Sequence, residues 1–143
     1  RNSMKRKINK YDPVIYPRLL WVTNRIEDLD EAFIFCDITD FNKENPNAYS
    51  DLIEEYESGT INAVTIPVIH KNTGKAGVLV VILGLDDKEL SNTIPHEATH
   101  VTDYIFDSLG LSADVFSRNE CYAYLLGWAA SCISSSVIKF NKQ

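Results

Sequence analysis

At 143 residues, with 45% hydrophobic and 24% charged side chains, the chain has the size and composition of one folded domain, which excludes a disordered or low-complexity protein. A net charge of −6 excludes a nucleic-acid groove, which needs a basic face. The longest apolar run, residues 77–85, suits a buried strand, so no membrane span is expected.

Residues 1–3 ahead of Met4 read as a tag scar, and with the basic residues 5–7 they make 1–10 a flexible N-terminus. Residues 11–143 are then a single domain. No apolar stretch follows the basic start, so no signal peptide is expected. Cys36, Cys121 and Cys132, odd in number and without CxxC spacing, read as reduced thiols of a cytoplasmic protein. Residues 14–23, rich in aliphatic and aromatic side chains, predict a strand that Pro17 puts on an edge or interrupts at its start. Residues 25–36 are ambiguous. Ile26, Leu29, Ala32 and Phe33 have helical spacing, whereas 33–35 suits a strand. Residues 48–57 predict a helix ended by Ser58 and Gly59.

Two apolar stretches, 61–70 and 77–83, joined by Lys-Asn-Thr-Gly, predict a β-hairpin. Residues 86–89 open a C-terminal half that is nearly all helix. Because proline does not fit a helix interior, Pro95 predicts a helix start near Asn92 or Thr93, running on to Gly110 as C-cap. A second long helix starts between Ser112 and Ser117 and reaches about Val137. Strands first and helices afterwards make an α+β fold.

Residues 96–100 read His-Glu-Ala-Thr-His. On a helix, positions i and i+4 share a face, so His96 and His100 can hold one metal ion. Glu97 can then reach a metal-bound water as general base. A catalytic zinc site needs a third protein ligand. Asp107 lies about 10 Å along the axis from His100, too far for the same ion. Asp103 either fixes the tautomer of a ligating histidine or is an exposed helix residue. Glu120, on the next helix, is the stronger ligand candidate; the competing reading is a capping box with Ser117. Cys121 is a weaker candidate.

The HExxH motif followed 20 residues later by Asn119-Glu120 resembles the gluzincin metallopeptidases, the thermolysin-like enzymes among them. The chain is also similar to small metallopeptidase-like proteins of tailed phages and prophages, in which a compact sheet leads into a HEATH helix and an Asn-Glu-x-x-Ala-Tyr helix. The motif match covers residues 94–128. The resemblance implies a compact zincin-like domain, in which a small, mostly antiparallel sheet precedes the HExxH helix and a long C-terminal helix carries the third ligand. It implies Zn2+ held by His96, His100 and Glu120, with Glu97 as general base. In the larger family members an acidic residue stands four after the ligand Glu; here that position is Tyr124. They also draw an oxyanion donor from a separate domain. Tyr124 is a candidate donor near the metal, or else a core aromatic beside Trp128. His70, at the hairpin turn, reads as an exposed turn residue.

The implied activity is zinc-dependent hydrolysis of peptide bonds in a peptide or protein substrate, in the cytoplasm (the host's, for a phage protein), without nucleic acid or membrane. The alternative is a weak or inactive zinc-binding protein of a mobile element that acts through a partner. Residues 77–83 are the candidate edge that pairs with extended substrate, unless that strand is interior.

Overall fold

The hairpin forms the middle of the sheet. In a computed structural model that describes residues 7–113 and 119–142, β4 (Ala63–His70) pairs antiparallel with β5 (Ala76–Ile82) from Ala63↔Ile82 to Ile69↔Ala76. The far side of β5 pairs in parallel with β2 (Leu19–Thr23), Leu19 opposite Gly77. β1 (Ile8–Tyr11) and β3 (Phe33–Phe35) close the two edges antiparallel, giving the order β1-β2-β5-β4-β3. Between the strands lie α1 (Leu29–Ala32) and α2 (Ala48–Glu57), and after them α3 (Asp87–Ser108) and α4 (Glu120–Asn141). The fold is therefore α+β: a five-stranded mixed sheet followed by two long packed helices.

Both faces of the sheet are covered, which is why β5 is an almost unbroken apolar run. Val78, Val80 and Ile82 pack with Leu20 and Val22 against Val101 and Ile105 of α3 and Leu125, Ala129 and Ile133 of α4. Leu79 and Val81 face the other way, toward Trp21, Phe33, Phe35, Ile66, Val68 and Leu52 of α2. β5 is thus interior, and the expectation that residues 77–83 form a substrate-pairing edge is corrected.

Several boundaries also move. β2 begins at Leu19, not Val14, because residues 12–17 fold into a tight loop. Asp12 Oδ1 accepts the Val14 amide at 2.8 Å, and Val14 sits at φ 71. Pro13 and Pro17 cannot donate to a ladder. β1 occupies residues assigned to a flexible terminus. It is anchored because Asn9 Nδ2 and the Tyr11 hydroxyl both reach Ser136 Oγ of α4, at 3.1 and 2.7 Å. The ambiguous segment 25–36 divides into the single turn α1 and then β3.

α3 starts two turns ahead of Pro95. Asp86 caps it with a reciprocal box: its carboxylate accepts the Glu89 amide, and the Glu89 carboxylate accepts the Asp86 amide. Pro95 therefore lies inside the helix. It offers no N–H to the carbonyl of Ser91, an exposed residue where a missing backbone donor costs little. The C-terminal end is as expected, with Gly110 at φ 71. α4 begins at Glu120 and runs past Val137 to Asn141; Ser117 and its capping box lie outside the described residues. Contrary to the sequence expectation, α4 is long and apolar enough to cross a membrane by length and composition, with a mean hydropathy of 1.3. Its buried stripe packs on α3 and the sheet.

Candidate metal centre

α3 turns Leu90, Ala98, Val101 and Ile105 into the core and leaves His96 and His100 beside that stripe, toward solvent. The two imidazoles converge: Nε2 of His96 and Nε2 of His100 are 3.2 Å apart, with the rings at 79°. Two nitrogens on one tetrahedral zinc, each about 2.0–2.1 Å from it, lie about 3.3 Å apart. The pair can share either a proton or a metal ion, and its geometry fits the ion.

Glu97 points inward and is only 5% exposed. Its Oε1 accepts from the Thr65 hydroxyl at 2.7 Å, and its Oε2 stands 3.8 Å from His96 Nε2. Thr65 is itself buried. On β4 it faces α3, while its neighbour Ile66 belongs to the opposite core. A hydroxyl within the apolar stretch 63–69 of β4 thus clamps the carboxylate beside the histidines. Sequence reasoning missed Thr65; its signal was a lone threonine in Val64-Thr65-Ile66-Pro67-Val68.

Tyr104, one turn after His100, was also missed. Its ring stacks on His100 at 6.3 Å and 22°, and meets Phe41 edge-on at 5.5 Å. Burial first, and then the Glu97 and Asp103 carboxylates, push its phenol above the usual range. Its hydroxyl has no hydrogen-bond partner among the described residues. Phe41 leads into an open cleft of about 700 Å³ between the 38–42 loop and the end of α3, with Arg18, Ile69 and Asp107 on its walls.

The other expected site residues are elsewhere. Asp103 does not hold a histidine; it accepts from the Tyr122 hydroxyl at 2.5 Å and ties α3 to α4. Burial, then that bond and the charge of Asp103, push the Tyr122 phenol up to about 12. Tyr124 is 76% exposed, so it is not the core aromatic of the alternative reading. Glu120 opens α4 as an exposed residue. At 100° per residue it lies about 170° from the middle of the stripe formed by Leu125, Ala129, Cys132, Ile133, Ser136 and Phe140. Among the described residues no group of three or more His, Cys, Asp or Glu side chains is gathered for a metal. Cys121 is exposed, and all three thiols are free.

His70 is no exposed turn residue. Its half-buried ring stacks on Trp21 at 5.6 Å and 15°, on the face of the sheet away from α3. The structure therefore brings His96, Glu97, His100, Thr65 and Tyr104 together, and among the described residues Glu120, Tyr124 and Asp103 make no hydrogen bond or ring contact with the histidines. Compared with protein-family models, with curated proteins and with solved structures, the chain matches none.

Proposed function

We propose that the chain is a minimal, zincin-like zinc peptidase built on the HExxH pair of α3, without the glutamate ligand that the gluzincin resemblance implies. The observation that carries the reading is the approach of the two Nε2 atoms to 3.2 Å beside a buried, clamped carboxylate. His96 and His100 would hold zinc. When bound, zinc supplies Lewis acidity, polarising a carbonyl and making water acidic near neutral pH. Glu97, fixed by Thr65, takes the proton of the attacking water and passes it to the leaving amine. Tyr104 replaces Tyr124 as our candidate donor to the substrate's carbonyl oxygen, because its ring stacks on His100 and its hydroxyl has no partner among the described residues. The substrate chain would lie along the cleft beside Phe41. Three free thiols suit a reducing compartment such as the cytoplasm.

A second reading, a zinc protein that acts through a partner and hydrolyses little, is favoured by the missing third ligand among the described residues. The test measures zinc in the purified protein and then the cleavage of a quenched-fluorescence peptide library by wild type and Glu97→Gln. The peptidase reading expects at least half an equivalent of zinc and a loss of about 100-fold or more in kcat for Glu97→Gln. Bound zinc with equal turnover in both proteins leaves the second reading; less than about half an equivalent of zinc removes both.

A further inference from the structure

The sheet face away from the histidines carries a cavity of about 270 Å³ between β1, β2 and the β4–β5 turn. Its floor is apolar and rigid. Trp21 and Phe33, 3% and 1% exposed, meet edge-on at 5.2 Å, and His70 stacks flat on Trp21. Its rim is cationic and hydrogen-bonding: Lys10 from β1, Lys75 from the turn, Thr73 and His70. Among the described residues no carboxylate lines it, in a chain with 20 acidic residues against 14 basic ones. Neither lysine has an ion-pair partner among the described residues.

The turn is held in shape from within. His70 Nδ1 and Thr73 Oγ1 are 3.1 Å apart, and Thr73 Oγ1 accepts the Lys75 amide at 3.3 Å. That leaves His70 Nε2 without a partner among the described residues, in the cavity that Lys10 and Lys75 also line. Unpaired charge of one sign concentrated over an aromatic floor is an attractive field for a ligand of the opposite sign.

We propose that this cavity binds a small organic anion: one carboxylate or phosphate group carried on a single flat ring. The anionic group meets Lys10, Lys75 and His70, and the ring lies against Trp21. The volume falls just below the usual range for drug-sized ligands, which limits the body to about one ring. The site is on the opposite face from the histidine pair and does not depend on zinc.

The test titrates phenyl phosphate, benzoate, inorganic phosphate and phenol into EDTA-treated protein. Trp21 fluorescence is followed in a Trp128→Phe background, with calorimetry on the wild-type chain. Expected are a Kd of about 1 mM or tighter for at least one aryl anion and binding at least tenfold weaker for inorganic phosphate and phenol. The double variant Lys10→Gln/Lys75→Gln should lose at least tenfold in affinity, while Lys88→Gln, on α3, should not. The two aryl arms separate a phosphate from a carboxylate preference, and either supports the proposal. No saturable binding of either aryl anion by about 10 mM overturns it, as does undiminished binding in the double variant or equal affinity for inorganic phosphate and phenyl phosphate.

Discussion

Thr65→Val tests the clamp on Glu97. The substitution keeps the side-chain volume and removes only the hydroxyl that donates to Glu97 Oε1 at 2.7 Å. Both residues are 5% exposed, so water does not readily replace the lost donor. A buried hydrogen bond to a charged group contributes about 1.5–3 kcal/mol. For 143 residues the unfolding entropy near the midpoint is about 0.3 kcal/mol per degree, so Tm should fall by about 5–10 °C. Glu97→Gln behaves differently: the amide oxygen still accepts from Thr65 and the buried charge is gone, so its Tm should equal or exceed that of wild type. In the Glu97→Gln background, Thr65→Val should cost only the value of a neutral bond, about 0.5–1.5 kcal/mol. Circular dichroism melts of all four proteins, run in EDTA so that metal binding does not shift the midpoints, complete the cycle. A Thr65→Val midpoint within 2 °C of wild type, or an equal penalty in both backgrounds, would refute the clamp.

Glu120→Ala should change zinc affinity by less than about threefold while His100→Ala abolishes it, as read by competition with a chromophoric chelator; a loss of 100-fold for Glu120→Ala would mean that metal draws the start of α4 round toward α3. Gly77→Ala should lower stability by about 3 kcal/mol or more in urea, because its Cβ would stand 2.1 Å from the Leu19 carbonyl oxygen, and the strand pairing must part to admit it. A variant within 1 kcal/mol of wild type would contradict that packing. Burial pushes the Cys132 thiol from its ordinary 9.0 up to about 11. The unfolded chain therefore loses that proton first, so stability is complete below pH 9 and declines as pH rises toward 11, by at most about 2.7 kcal/mol. Urea midpoints at pH 8.5 and 11 measure the decline, and Cys132→Ala should flatten it; an equal slope in the variant assigns the loss elsewhere.

Local signals made much of this fold legible. The β4–β5 hairpin, α2 with Gly59 behind it, and the Gly110 stop of α3 all follow from periodicity and turn chemistry in a short window. The parallel pairing of β2 with β5 does not, because the two strands are some 58 positions apart and nothing local encodes their meeting. β1 was hidden because a four-residue strand with two polar positions looks like a tail until Ser136 of α4 is there to bond it. At α3, Pro95 suggested a start that the Asp86 and Glu89 box, also plain in the sequence, places two turns earlier. At the site, His96, Glu97 and His100 were readable because spacing on one helix fixes their relation. Glu120 and Tyr124 were not, since the rotation of a second helix about its axis is set by packing. The residue that α4 turns toward α3 is Tyr122, two positions on from Glu120. Thr65 could be found only once β4 lay against α3.

The early start of α3 changes the electrical setting of the histidine pair. Had the helix begun at Asn92 or Thr93, His96 would stand in its first turn, where unpaired amides carry roughly half a positive charge and repel a dication. Starting at Asp87 moves that pole about 13 Å along the axis from His96 and leaves it to Asp86, Asp87 and Glu89 to neutralise. The opposite pole, at Ser108, is about 12 Å beyond His100. A cation between the two imidazoles would feel neither end of the helix, so its affinity would rest on the side chains alone, with little help or hindrance from the backbone.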